Sequence, residues 1–307
     1  MKVNIQSVAL RLVAMGLTAL LFVLGLSGIR AIARGDLGKS ASNPLGLASF
    51  PLAPDELPQA PPTFPFQEPS LQTIWNRIPF PSSASSLTAS ASVQPVGTAA
   101  GYLPRQEIAS ADPSNFGDRY TKDVYGKAVS NDPIVVLHET VGSASSAINT
   151  FQTPHPNEDD QVSYHSLIRL NGSIIYVVPP LKRAFGAGNS VYIGANGPEA
   201  VKTHPLYPAS VNNFAYHISL ESPSDGHNNA LSHSGYTEAQ YQSLAWLVAQ
   251  TQVPVERIVT HKTVDRSRSR IDPRSFDNDK FLSLLRPYLE SAQKEQSLES
   301  KRQASRK

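Results

Sequence analysis

Proline decides where this chain can fold. Eleven of its 25 prolines fall between Pro44 and Pro95, and the run "SSASSLTASAS" at 82–92 lies among them. Proline removes a backbone donor and fixes φ, and small polar residues bury too little apolar surface to offset the entropy of ordering. Residues 34–110 therefore read as an extended linker. One island interrupts it: "LQTIWNRIPF" at 71–80, where Leu71, Ile74, Trp75 and Ile78 stand at helical spacing. It is either a sticky spot in the linker or a short helix docked on a domain. A packed core has to come from the residues that follow.

Ahead of the linker, Lys2 and Arg11 precede "LVAMGLTALLFVLGLSGI" at 12–29, which carries no charge, and "AIA" at 31–33 offers a small-x-small cleavage site. Residues 1–33 are expected to be an export signal. An uncleaved membrane anchor is the alternative, because 18 apolar residues approach the length needed to span a bilayer. The protein is accordingly expected to act in the periplasm or at the cell wall.

Charge and cysteine content narrow the chemistry. With 27 basic against 25 acidic residues the net charge is +2, which does not suit a nucleic-acid-binding domain. The chain has no cysteine, which excludes disulfides, cysteine nucleophiles and thiolate metal sites. Any metal has to be held by His, Asp or Glu.

Residues 111–292 alternate between strand and helix patterns. "IVVLHE", "SYHSLIRL", "SIIYVVP", "NFAYHISLE" and "ERIVTHK" read as strands, with Asn171-Gly172 supplying a tight hairpin turn. "SASSAINTFQ" and "DNDKFLSLLRPYLES" read as helices. Thr237 to Gln240 opens another as a capping box, with Tyr241, Leu244, Ala245 and Val248 on one stripe. The fold class is α/β, a mixed central sheet flanked by helices. Residues 293–307 are expected to be a charged, disordered tail.

Two strands deliver a histidine at their ends, His138 and His261, and Asp272 follows eleven residues after the second. Two imidazoles and a carboxylate make a common catalytic zinc set with a fourth position open. From spacing alone, ordinary polar residues at strand ends are the commoner case. In "AYHISLES" strand parity sets His217, Ser219 and Glu221 on one face, against Ile218 and Leu220 on the other. That polar row is either a catalytic face carrying a general base or a solvated one.

The order and wording of "IVVLHET", "VSYHSLIRLNGSIIYVV", "KRAFGAGN", "ISLES", "YTEAQYQSLAWLVAQ", "VPVERIVTHKTVD" and "RIDP" resemble the zinc-dependent N-acetylmuramoyl-L-alanine amidases. That family includes phage lysozyme-like enzymes and the animal peptidoglycan recognition proteins. The resemblance spans about residues 130–290. It implies one zinc ion on His138, His261 and Asp272, and Glu221 as the group that handles water. It implies Tyr164 and Arg270 beside the oxyanion, and His165, Arg183 and His217 in contact with substrate. Two departures stand out: Arg270 where many relatives carry lysine, and Gly186 where they often carry histidine. The implied activity is hydrolysis of the amide between N-acetylmuramic acid and L-alanine in peptidoglycan or muropeptides. The alternatives are a non-catalytic peptidoglycan-binding module and a zinc peptidase cutting within the stem peptide.

Overall fold

The computed structural model describes residues 102–304, together with Asn76 and Ile78. The export segment at 1–33 and most of the linker lie outside the described residues. Among the described residues no helix is long and apolar enough to cross a membrane.

In chain order the strands are β1 (Gln106–Ile108), β2 (Phe116–Asp118), β3 (Ile134–Glu139), β4 (Ser166–Ile168), β5 (Ile174–Tyr176), β6 (Lys182–Ala184), β7 (Tyr192–Gly194), β8 (Gly197–Glu199), β9 (Ala215–Leu220) and β10 (Ile258–Thr260). The helices are α1 (Ala144–Gln152), α2 (Glu238–Thr251), α3 (His261–Val264) and α4 (Asn278–Ala304). Six strands form the main sheet in the order β1-β5-β4-β9-β3-β10. Only the β4–β5 pair is antiparallel, so the sheet is mixed as the sequence predicts.

β3 sits between β9 and β10 and is buried along its whole length, which is why "IVVL" carries no alternation. Parity divides its two faces. Val135 and Leu137, with Tyr216, Ile218 and Leu220 of β9, pack against Leu244, Leu247 and Val248 of α2 and Phe281 and Leu285 of α4. Ile134 and Val136 face the other way with Ala215. On that second face Leu167 and Ile175 meet Ile148 and Phe151 of α1. His138 therefore shares its face with His217 and Ser219, and the two large helices cover the opposite one. The parallel register places Ser219 directly beside His138.

The predicted hairpin is present: Gly172 has φ +83°, and Gly172 N–H donates to Arg169 O at 2.8 Å. The predicted capping box of α2 is also present, with both Thr237 and Gln240 bonds made. Three boundaries move. β1 pairs with β5, so the domain begins inside the stretch assigned to the linker; three residues are too few to show a strand period. α4 runs on to Ala304, past residue 292, because "AQKEQSLESKRQA" is built from good helix formers and lacks glycine and proline. The last strand stops at Thr260, whose side chain caps a new helix, and His261 becomes the first residue of α3. Of the island at 71–80, Asn76 and Ile78 are described, and Ile78 is buried in the core beneath α2 and α4. Its helical spacing lies outside the described residues.

Candidate metal centre

The end of β3 carries His138 into the interior, where its imidazole is fully buried. Its Nδ1 lies 3.2 Å from Oδ2 of Asp272. His261, at the start of α3, turns its own Nδ1 to the same oxygen at 3.1 Å. One donor atom from each of the three residues lies within 4.8 Å of the others, and all three residues are buried. Strand β3, helix α3 and the turn after Arg270 thus converge on one point.

The electrostatics suit a cation. Burial pushes the His138 imidazole down to about 4, so its nitrogen lone pair is free at neutral pH. Burial pushes the Asp272 carboxyl up, but the bonds to His138 and His261 outweigh it and hold the group below the ordinary carboxylate range. Two imidazoles and one carboxylate on a shared focus fit a zinc ion with a fourth position open.

A buried clasp fixes Asp272 in place. Arg274, two residues on, sends Nε to Oε1 of Glu139 at 2.6 Å and Nη2 to Oε2 at 3.2 Å. Its main-chain N–H donates to Oε1 at 3.1 Å. Ser222 Oγ and His233 Nε2, each 3.0 Å from Oε2, and the Tyr236 hydroxyl at 3.4 Å complete the shell of Glu139. Glu139 follows His138 in β3 and points to the other face, so one strand end holds a ligand on one side and the ligand-bearing turn on the other.

The model of the N-acetylmuramoyl-L-alanine amidase family matches residues 130–275, the segment that holds all three ligands. This segment belongs to that family. No curated protein matches the chain. Among solved structures, a selenomethionine AmpD derivative is similar at 24% identity, covering 60% of this chain and 97% of that one, with a TM-score of 0.43. AmpD from Citrobacter freundii follows at 25% identity, 61% and 94% coverage and a TM-score of 0.38. The endolysin amidase LysCS from Clostridium intestinale is 17% identical, with 60% and 97% coverage and a TM-score of 0.36. Within that segment the buried His138, His261 and Asp272 cluster has the geometry of the mononuclear zinc site of this amidase family.

The other residues singled out in the amidase sequence are not all brought together. Tyr164 stacks on His138 with ring centroids 4.3 Å apart, and burial pushes its hydroxyl pKa up, so the group stays protonated. Arg270 is exposed, yet its positive charge bears on both His138 and Tyr164. Glu221 lies just beyond β9. Its Oε1 accepts the N–H of Ala144 at 2.8 Å and its Oε2 that of Leu170 at 2.9 Å. Both oxygens of the expected base are thereby engaged by main chain, from the start of α1 and from the hairpin.

Two of the three expected substrate contacts lie in the interior: His165 and His217 are fully buried. Nδ1 of His165 accepts the main-chain N–H of His217 at 2.9 Å, so its proton sits on Nε2, 3.1 Å from Lys182 O. Parity could set His217 on the polar face but not show that the face is sealed. Arg183 is half-buried between the rings of Tyr120 and Phe185, at 5.0 and 5.1 Å. Ser219, which parity set on the polar row without a role, has a buried Oγ with no hydrogen-bond partner among the described residues.

A pH dependence follows for the metal-free amidase. Burial, first, lowers the imidazoles of His138, His165 and His217 below the ordinary value of 6.5. A depressed histidine contributes stability that is full above 6.5 and is lost as pH falls through the folded value, about 4 for His138. Thermal unfolding of the chelated protein should therefore shift to lower temperature as pH drops from 7.5 to 4.5. A flat profile across that range would contradict the burial of these three rings.

Proposed function

We propose that this amidase hydrolyses the amide between N-acetylmuramic acid and the first L-alanine of peptidoglycan stem peptides. The observation that carries the reading is the buried convergence of His138, His261 and Asp272 inside the segment that matches the amidase family. His138, His261 and Asp272 would hold a zinc ion, which would supply a Lewis acid for the scissile carbonyl and an activated water near neutral pH. The chain's own residues do the rest. Tyr164, kept protonated by burial, is a hydrogen-bond donor at neutral pH. Arg270 adds a fixed positive charge on the same side, and together they steady the negative charge that develops on the carbonyl oxygen. Arg183, the one of the three expected contacts that is not fully buried, is assigned to the substrate wall.

Glu221 is assigned to holding structure, since each of its oxygens accepts a backbone amide, one from Ala144 and one from Leu170. Glu221→Ala should cost about 0.5–1.5 kcal/mol, the net worth of a hydrogen bond, because water can reach the exposed Leu170 amide. Glu221→Gln should keep its rate per bound zinc within about tenfold. A drop of roughly 10²–10⁴-fold at unchanged stability would return Glu221 to the role of base.

Arg270→Ala should lower the rate by roughly 10²–10³-fold, the scale for deleting one oxyanion-stabilising group. Arg270→Lys keeps the cation and should retain much of the activity. Unchanged turnover in Arg270→Ala would leave the oxyanion to Tyr164 and the metal.

Export and action at the cell wall are supported by Lys2, Arg11 and the uncharged segment 12–29, with cleavage after 31–33 or retention as an anchor. The deciding experiment is release of free stem peptides from purified peptidoglycan and from small muropeptides. Intact stems are expected. Fragments cut within the stem would indicate a peptidase, and binding without release a recognition module.

A further inference from the structure

We infer that His217 is the positioning residue of the metal centre, holding the outer nitrogen of His138 through Nδ1, and that Gly186 is glycine to make room for it. The inference rests on the zinc reading above and adds two residues to it. His138 turns Nδ1 toward Asp272, so its outer nitrogen is Nε2, and this atom lies 2.9 Å from Nδ1 of His217. Both rings are fully buried. A ligating histidine keeps its proton on the nitrogen that does not bind metal and donates it to a fixed acceptor, usually a carboxylate, a carbonyl or water. Here the acceptor is a second imidazole.

That choice sets the protonation of both rings. With His138 Nδ1 given to the metal, Nε2–H donates to His217 Nδ1, and the single proton of neutral His217 sits on its Nε2. Without metal, His138 Nδ1–H donates to Asp272, Nε2 accepts, and His217 Nδ1 has to be the donor. Loading the site therefore switches the tautomers of two rings together. The bond to His138 is the one hydrogen bond the His217 ring makes among the described residues, because its Nε2 is buried without a partner. A buried unpaired nitrogen weighs against the fold, so the ring is retained for what its other nitrogen does.

The ring is held closely in this position. It lies parallel to His165 with centroids 5.7 Å apart, and its own main-chain N–H is bonded to His165 Nδ1. A Cβ on residue 186 would fall 2.6 Å from His217 Nδ1 and 2.7 Å from its Cγ, closer than such atoms approach. Gly186 does not have a positive φ, so space and not backbone conformation demands glycine there.

The test uses the full chain and reads zinc affinity by competition with a chromophoric chelator. His217→Phe fills the space without an acceptor, and Gly186→Ala pushes the ring aside; each should weaken zinc binding by roughly 10–100-fold. His217→Gln, whose side-chain carbonyl accepts a hydrogen bond, should recover part of that loss. Nitrogen-15 spectra of the histidines in the wild-type chain should show His217 protonated on Nδ1 without zinc and on Nε2 with it. That measurement decides the matter if His217→Phe does not fold. Wild-type affinity in both His217→Phe and Gly186→Ala, or an unchanged His217 tautomer, overturns the inference while leaving the zinc reading intact. A wild-type chain that binds no zinc overturns the zinc reading itself.

Discussion

Arg274→Ala should destabilise the folded amidase by about 3–5 kcal/mol, the scale for breaking a buried ion pair by removing one partner. The side chain of Glu139 is 0% exposed and that of Arg274 2%, so neither charge has water to fall back on. Removing the guanidinium leaves the Glu139 carboxylate with Ser222 Oγ, His233 and the residue 274 main-chain amide as its closest remaining partners. It also strips donors from the carbonyls of Gly226, Asn228 and Ala230. Against a typical total of about 5–15 kcal/mol this is a large fraction. Arg274→Lys keeps the charge but not the planar fork, and should fall between. Because Asp272 sits two residues before the clasp, zinc affinity should decline in the same order. Denaturant unfolding of the chelated variants measures the first effect. A loss below about 1 kcal/mol for Arg274→Ala would mean the pair contributes nothing that the surrounding loop cannot replace.

The parts of this fold that were legible in the sequence are those with local causes. Asn171-Gly172 needs nothing beyond its own φ preference to make a turn, and Thr237 with Gln240 caps α2 from within four residues. The run "IVVL" was legible as a strand from its apolar, β-branched residues; that both its faces are buried comes from the structure. β1 was not legible. Its three residues are a strand only because β5 lies alongside them, and the register that pairs Gln106 with Ile174 is a tertiary fact. The C-terminal extension of α4 was missed for the opposite reason: its charged composition suits both a solvated helix and a disordered tail.

At the site, parity put His217, Ser219 and Glu221 on one polar row, and the outcome differed along that row. His217 reaches the metal ligand His138, and Ser219 lies beside it in register. Glu221 is already beyond the strand, where the amides of Ala144 and Leu170 claim it. Alternation tells which side a residue faces but not where the strand ends or what seals the face. Nor could it connect Glu139 to Arg274, which are adjacent to a ligand and two residues past another. Both were in plain view as neighbours of His138 and Asp272, yet only the fold shows that they meet.

His138→Ala and His261→Ala should each reduce zinc from one ion per chain to near none and lower amide hydrolysis by about a thousandfold or more. Losing one of three protein donors leaves two, too few for a stable catalytic site. The Lewis acid it carries is worth several kcal/mol in the transition state, and each 1.36 kcal/mol is tenfold in rate. Zinc content by elemental analysis and stem-peptide release from peptidoglycan measure the two effects. Chelation followed by zinc should restore the wild type but neither variant. The two substitutions should nonetheless differ in stability when metal is absent. His138 is fully buried and makes the one hydrogen bond of the His217 ring among the described residues, so His138→Ala opens a cavity and leaves that second imidazole without a hydrogen bond. His261 heads a short helix and its side chain is 10% exposed, with Asp272 as its partner, so His261→Ala disturbs less of the interior. Equal loss of zinc with a lower unfolding temperature for His138→Ala is the expected pair of results. Full activity in a zinc-depleted wild type, or zinc retained in either variant, would refute the metal site itself.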